Sequence, residues 1–253
     1  MPRVARIKSK SKIYHIMIRG INRQNIFHDN EDYEKFIAIL AKYHQKCEYE
    51  IYAYCLMGNH VHLLIKEGKE NLSHSMKKIG TSYVFWYNWQ YNRKGHLFQG
   101  RYKSEPVEDD AYFLTVLRYI HQNPKKAGLS NDIASYIWSS YHEYLSQSRI
   151  VNIEYVLHLF HSEKSQAIEK FKQFNHESNN DQCLELPKER KTLSDKAIRK
   201  LVYQKFHTEI AILQNNDTAK LDKVLKYLKG IEGCSLKQIS RLTGISVYNI
   251  LKA

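Results

Sequence analysis

The sequence has few of the residues that interrupt regular structure, with 10 glycines and 4 prolines among 253 residues. This argues against a disordered chain and against a loop-rich β-fold. The cysteines Cys47, Cys55, Cys183 and Cys234 contain no Cys-x-x-Cys pair. We therefore expect buried thiols in a reducing compartment rather than a disulfide scaffold or a zinc knuckle. No apolar run approaches the length of a membrane span, and no apolar signal core follows the basic amino terminus, so we expect a soluble, intracellular protein.

Positive charge is in excess, with 39 lysines and arginines against 26 acidic residues and a formal net charge of +13. Such an imbalance favours a polyanionic partner. The excess is uneven, because residues 1–24 contain seven basic residues and no acidic residue. An arm of this kind suits contacts with phosphates.

Strand and helix patterns alternate in the order βαββαβα over the first half of the chain. Strands are predicted at 12–21, 49–57, 60–66 and 102–107, and helices at 29–46, 72–92 and from 109 until Pro124 ends the helix. This order predicts an α+β fold with a ferredoxin-like antiparallel or mixed sheet and helices on one face.

Strand patterns disappear after about residue 145, which predicts a first domain at 1–150 and an all-α region at 151–253. Within that region, 153–174, 193–213 and 220–229 are helical in pattern, and the polar stretch 175–187 suggests a linker. The tail 235–253 has the outline of a helix-turn-helix, with Gly244 between two short helices. A generic helical hairpin in a small bundle is the alternative.

His60 and His62 open the third predicted strand. Side chains alternate along a strand, so both imidazoles lie on the same face and close together. This geometry suits two ligands of one metal ion. Two histidines satisfied by water or by the backbone are the alternative, and the spacing alone does not decide between these interpretations.

The third predicted helix carries Tyr119 and Asn123, which are four residues apart and therefore stack on one helical face. A phenol can act as a nucleophile toward phosphorus and become a covalent phosphotyrosine. An amide oxygen can complete a metal site that two imidazoles begin. With 19 tyrosines in the chain, periodicity alone does not single out Tyr119.

The ordered combination of His60-Val61-His62 and Tyr119-Ile120-His121-Gln122-Asn123-Pro124 resembles the HUH single-tyrosine transposases, and within them the REP-associated tyrosine transposase branch. The resemblance covers roughly the first 145 residues. Three further stretches support it: 19–23 (RGINR), 57–60 (MGNH) and 98–103 (FQGRYK). Insertion-sequence relatives often carry Gln where this chain has Asn123, and either residue offers an amide oxygen.

The resemblance implies a metal-dependent single-strand DNA endonuclease and strand transferase that acts at DNA hairpin ends. His60, His62 and Asn123 would hold one divalent ion, Mg²⁺ or Mn²⁺, and Tyr119 would form a 5′-phosphotyrosine. The phosphate contacts expected beside this site come from four basic residues, with a solvated basic face as the alternative for each: Arg19, Arg23, Arg101 and Lys103.

A non-catalytic, sequence-specific DNA-binding regulator is the alternative function, and a relaxase of replication or conjugation is a third. Having both histidines, the tyrosine and the asparagine present favours catalysis. We expect a cytoplasmic, nucleoid-associated bacterial protein, a monomer or a homodimer, with single-stranded hairpin DNA as its partner. The carboxy-terminal region is a candidate for binding duplex DNA.

Overall fold

The computed structural model describes residues 6–184, 193–210 and 218–252. It divides the chain into two compact units, Met1–Glu185 and Leu186–Ala253. Three predicted features lie partly outside the described residues. They are the basic arm at Arg3, the linker at 185–187, and the helix predicted at 193–213 over its last residues, 211–213.

A four-stranded sheet organises the first unit. Its strands are β1 (Ile13–Arg19), β2 (Glu50–Met57), β3 (His60–Lys66) and β4 (Lys103–Pro106). The spatial order is β2-β3-β1-β4, and every neighbouring pair is antiparallel. β1 and β2 are thus parallel to each other across β3, which is the split βαβ arrangement of a ferredoxin-like fold. The predicted α+β class and strand order are confirmed.

Three helices belong to this sheet: α1 (Asn30–Cys47), α2 (Leu72–Gln90) and α3 (Asp110–Lys126). Each begins at a residue whose side chain accepts a hydrogen bond from the first helical turn, namely Asp29, Asn71 and Asp109. The prediction that Pro124 ends α3 is wrong, because the helix continues to Lys126. A proline two residues from a helix end removes a single backbone donor, and the last turn tolerates this loss.

Helices cover both faces of the sheet, although the sequence predicted them on one face. Ile18 on the inner side of β1 lines a common cavity with Met76 and Gly80 of α2, and α2 packs on α1. On the opposite face the ring of Tyr119 on α3 contacts the ring of His15 on β1. The reason is connectivity: α1 and α2 are right-handed crossovers between parallel strands and share a face, whereas α3 leads to no further strand.

The first unit extends beyond the predicted boundary at residue 150, because α4 (Ile153–Phe160) and α5 (Lys164–His176) pack within it. Phe171 of α5 stacks on Tyr144, with ring centroids 4.3 Å apart. The predicted linker also begins inside this unit. Asp181 receives two hydrogen bonds from Arg118 of α3, at 2.8 and 3.0 Å, and such a paired arginine and carboxylate hold this segment against α3.

The second unit is helical, as predicted, with α6 (Asp195–Phe206), α7 (Thr218–Gly230), α8 (Leu236–Thr243) and α9 (Val247–Lys252). Gly244 ends α8 with a φ of 71°, the left-handed conformation that favours glycine at this position. Its buried apolar cluster consists of Ile198, Val202, Ile210, Val224, Leu225, Leu228, Ile239, Leu242 and Ile250. Across the described residues, no helix combines the length and apolarity that crossing a bilayer requires.

Candidate active site

The two histidines of β3 lie together on the sheet face that α3 covers. His60 and His62 have ring centroids 5.1 Å apart and an interplanar angle of 82°. Across the strand pair, His60 faces Arg19 and His62 faces Met17 of β1. Nδ1 of His60 is 2.6 Å from Oδ1 of Asn59, the residue before the strand. This bond uses Nδ1 of His60, so Nε2 is the ring nitrogen that a metal ion could bind.

A third histidine, His15 of β1, completes the buried part of this cluster. Its Nε2 lies 2.9 Å from Nδ1 of His62, and its side chain is fully buried. His15 is not among the site residues that the sequence predicts. Alternation along β1 predicts only that His15 lies on the face opposite Tyr14 and Ile16. The register between β1 and β3 is what brings His15 beside His62.

Tyr119 of α3 packs its ring against both buried histidines. The ring centroids are 5.6 Å from His62 and 5.8 Å from His15, and both contacts are edge-to-face. Only 5% of the Tyr119 surface is exposed. The candidate nucleophile and one predicted metal ligand are thus in direct contact, although 57 positions separate them in the sequence.

Asn123 lies one helical turn beyond Tyr119. α3 follows β2 in the same direction, because Phe113 contacts Tyr52 and Tyr119 contacts His62, the cross-strand partner of Cys55. Four helical residues advance by about 6 Å, and two strand residues advance by about 6.6 Å. This matched advance brings Asn123 to the level of His60, at the other end of the histidine pair.

Burial keeps the histidines of this cluster neutral near neutral pH. Burial, with a smaller contribution from the charge of Arg19, lowers the pKa of His60 to about 4. Burial lowers the pKa of His15 to about 3. For His62, burial and then the neighbouring His15 and His60 hold the pKa well below its usual range. Neutral imidazoles keep the lone pair that a metal ligand needs.

The donors at this site fit a divalent cation. His60 and His62 bring two neutral imidazoles to the site, and the Nδ2 atom of Asn123 is buried without a hydrogen-bond partner among the described residues. The oxygen and nitrogen of an amide exchange places by a flip, so this position suits an acceptor oxygen aimed at a cation. Within 6–184, 193–210 and 218–252, no three His, Cys, Asp or Glu side chains are arranged to hold a metal ion together, so the candidate set is two imidazoles and one amide.

Two of the four predicted phosphate-binding residues lie on the site face. Arg19 faces His60, and its Nε is buried without a hydrogen-bond partner among the described residues. Lys103 of β4 is exposed and lies across from Met17, in the same cross-strand row as His62. Arg23 lies beside the β2–β3 turn, where its carbonyl accepts from Asn59. Arg101 instead lines a cavity of about 760 Å³ at α2.

Comparisons with known proteins find one matching family model and several similar proteins. Residues 8–123 match the model of the IS200-like transposase family. A Haemophilus influenzae protein that carries the name REP-associated tyrosine transposase is 28% identical over 116 residues, which is 40% of this chain and 66% of that relative. The match thus spans slightly less than two thirds of the relative's length.

A solved structure of a REP-associated tyrosine transposase bound to a REP hairpin shares the fold. It is 18% identical, with a TM-score of 0.50 over 58% of this chain and 87% of the other. At this identity the likeness concerns the fold alone.

Proposed function

We propose, on the premise that residues 8–123 match the model of the IS200-like transposase family, that the chain is a metal-dependent single-strand DNA endonuclease and strand transferase. The observation that carries the proposal is the contact between Tyr119 and His62, with ring centroids 5.6 Å apart. A phenol in contact with a neutral imidazole that could bind a metal ion is an arrangement suited to phosphoryl transfer.

In the proposed step, Oη of Tyr119 attacks the phosphorus of a single-stranded DNA backbone. The Oη–P bond forms while the bond between phosphorus and the 3′ oxygen breaks. The phenolic proton is lost, and the departing 3′ oxygen gains a proton. The products are a 5′-phosphotyrosine and a free 3′-hydroxyl. Attack of a 3′-hydroxyl on the phosphotyrosine reverses the step and rejoins DNA without an external energy source.

His60, His62 and Asn123 would hold one Mg²⁺ or Mn²⁺ ion. Such an ion supplies positive charge to the non-bridging oxygens of the phosphate as the displacement proceeds. The chain's own contribution is to keep both imidazoles neutral by burial and to hold the amide of Asn123 one helical turn from the nucleophile. Both effects follow from packing α3 on the sheet.

The approach of the phosphate is directed by exposure and charge. His60 and Asn123 are partly exposed, whereas Tyr119 and His62 are buried, so the rim at His60 is the accessible side. Arg19 lies on that rim, and Lys103 lies on the site face at the outer strand. Cations in these positions attract the DNA backbone. The expected substrate is single-stranded DNA with a hairpin, since the structural relative is described as bound to a REP hairpin.

The decisive experiment incubates the full chain with labelled single-stranded hairpin DNA and Mn²⁺ and separates the products under denaturing conditions. We expect a covalent protein–DNA adduct with the wild type and none with Tyr119→Phe, because phenylalanine has no nucleophilic oxygen. Tyr112→Phe is the matched control, since Tyr112 lies on the same helix, two turns earlier, and should retain the adduct.

An adduct that persists in Tyr119→Phe would assign the nucleophile to another residue. Absence of an adduct with a broad set of hairpins, together with tight DNA binding, would favour the non-catalytic regulator. The two outcomes are therefore distinguishable in one experiment.

The second unit suggests duplex binding as an additional activity. α8, the turn at Gly244 and α9 form a helix-turn-helix outline, in which Ile239 and Ile250 are buried and Tyr248 is 64% exposed. Nζ of Lys252 lies 4.4 Å from the Tyr248 ring centroid, so a cation and an aromatic ring share the outer face of α9.

Full-chain variants test this activity. Lys252→Gln combined with Tyr248→Ala should weaken binding to duplex DNA and leave adduct formation on single-stranded hairpins unchanged. Tyr203→Ala on α6 is the control, because Tyr203 is similarly exposed, at 57%. Equal affinity for duplex DNA in the wild type and both variants would show that α9 does not contact DNA.

A further inference from the structure

His15 is attached to His62 by a hydrogen bond whose direction has a chemical consequence. The bond joins Nε2 of His15 to Nδ1 of His62 at 2.9 Å, and a neutral imidazole carries one proton on one of its two nitrogens. If His62 donates, its proton is on Nδ1 and the lone pair of Nε2 is free. If His15 donates, His62 carries its proton on Nε2, which then cannot bind a cation.

Glu105 of β4 favours the first of these two arrangements. It is the cross-strand partner of His15, so the two side chains share the face under α3. Nδ1 of His15 and Oε2 of Glu105 are both buried, and neither has a hydrogen-bond partner among the described residues. Directly opposed residues have Cβ atoms about 4.5–5.5 Å apart, a separation that long side chains span by a change of rotamer.

The chemistry of these two atoms fixes the direction of the chain of bonds. A carboxylate oxygen accepts and does not donate, so once a change of rotamer brings these two atoms together, the bond forms only when His15 carries its proton on Nδ1. Nε2 of His15 is then an acceptor for Nδ1–H of His62. Nε2 of His62 then carries no proton, and its lone pair is available to a cation.

We propose that His15, supported by Glu105, is a positioning residue that fixes the tautomer and the orientation of His62. The inference rests on the proposed function, because it concerns how one of the ligands in that proposal is prepared. Histidine ligands generally donate their second ring N–H to an acceptor, and loss of that acceptor lowers metal affinity by about 10-fold to 100-fold. His15 itself lies behind His62 and acts through it.

The first test reads the tautomers directly. Nitrogen-15 spectra of the metal-free full chain, labelled at histidine, report which ring nitrogen of each histidine is protonated; His62→Gln and His15→Gln assign the signals. We expect His62 and His15 both to carry their proton on Nδ1 in the wild type. A proton on Nε2 of His62 would overturn the proposal, and this measurement requires no variant to be active.

The second test measures Mn²⁺ affinity of the full chain by electron paramagnetic resonance. His15→Phe fills the space without an acceptor and should weaken Mn²⁺ binding by about 10-fold to 100-fold. His15→Gln offers an amide oxygen near the position of Nε2 and should bind more tightly than His15→Phe. His28→Phe, an exposed histidine that hydrogen-bonds Tyr87 away from the site, should match the wild type.

Wild-type Mn²⁺ affinity in a folded His15→Phe variant would contradict the proposal. If that variant does not fold, the contrast between His15→Gln and the wild type, together with the tautomer of His62, decides the question. Failure of the proposed function gives a different result: no DNA adduct forms, yet His62 has the expected tautomer and Mn²⁺ binding responds to His15.

Discussion

The two faces of the sheet are built from alternate residues of the same strands, yet they bury different chemistry. Toward α1 and α2, the central strands present apolar side chains such as Ile16, Val61 and Leu63, all fully buried. Toward α3 they present His15 and His62, also buried. The first face stabilises the fold by removing apolar surface from water, at about 25 cal/mol per Å². The second holds imidazoles whose burial disfavours their charged forms.

Buried polar atoms without a hydrogen-bond partner occur on both sides of the sheet. Within the described residues, nine buried side-chain N or O atoms have no hydrogen-bond partner, and four belong to residues beside the candidate site: His15, Arg19, Glu105 and Asn123. Unsatisfied buried polar atoms are uncommon in native proteins and call for an explanation such as an absent ion or ligand. Four others lie on the side of α1 and α2, namely Asp32, Ser75, Asn88 and Ser104, so the faces differ in which groups they bury and not in the number of unsatisfied atoms.

Neighbouring substitutions on β3 should separate stability from metal binding. Leu63→Ala leaves a cavity on the apolar face and should lower the free energy of unfolding by about 2–5 kcal/mol. His62→Gln keeps most of the side-chain volume on the other face, so it should lower the free energy of unfolding by less than Leu63→Ala does. The measurement is urea unfolding of both full-chain variants with and without Mn²⁺.

Added Mn²⁺ provides the internal control for this pair. A ligand at 100 times its dissociation constant stabilises the native state by about 2.7 kcal/mol. A folded Leu63→Ala variant should show the same Mn²⁺-dependent increase in the free energy of unfolding as the wild type. His62→Gln should lose most of this increase. An equal Mn²⁺ increment in the wild type and His62→Gln would show that the ion binds elsewhere.

His121, on the side of α3 that faces α5, offers a contrast with the unsatisfied site. Its ring nitrogens pair with Asn175 and Ser140 at 2.9 and 3.0 Å. Burial lowers its pKa to about 4, below the unfolded value of about 6.5. Its contribution to stability is therefore complete above pH 6.5 and is lost as the pH falls toward 4.

Urea unfolding between pH 7 and pH 4.5 should reveal this loss, which amounts to about 3 kcal/mol at about 1.4 kcal/mol per pKa unit. His121→Gln removes the titrating group and should make stability less dependent on pH over this range. The pH dependence of stability that remains in this variant comes from the other buried histidines, His15, His60 and His62. An unchanged dependence would mean that His121 is protonated in the folded chain without destabilising it.

Local pattern predicted most of the fold correctly. Sequence pattern located every strand of the sheet and the helices α1 to α3, because β1 to β3 are largely apolar runs that the fold buries on both faces and each helix follows a capping residue. The extent of the first unit was not predictable in this way. Residues 151–184 carry no strand pattern, and their attachment depends on tertiary contacts such as Asn175 with His121 and Asp181 with Arg118.

The candidate site likewise contains residues that the sequence predicts and residues that only the tertiary structure reveals. His60, His62, Tyr119 and Asn123 were selected by spacing and by the resemblance of their motifs, and the fold brings Tyr119 to His62. Their roles as ligands and nucleophile remain predictions. His15 and Glu105 were missed because their relation to the site exists only through strand register, which pairs position 15 with 64 on one side and with 105 on the other.

The smallest expected effect concerns the basic residues around the two faces. Arg19 lies beside His60 on the site face, whereas Arg101 lines the cavity at α2. If Arg19 contacts a phosphate of single-stranded DNA, Arg19→Gln should reduce the salt dependence of binding, lowering the slope of log affinity against log salt by about 0.7. The measurement is fluorescence anisotropy of hairpin DNA in a salt series, with Tyr119→Phe as the background to prevent cleavage. Arg101→Gln tests the opposite face, and an equal reduction in both variants would mean that the DNA backbone follows both faces of the sheet rather than the α3 face alone.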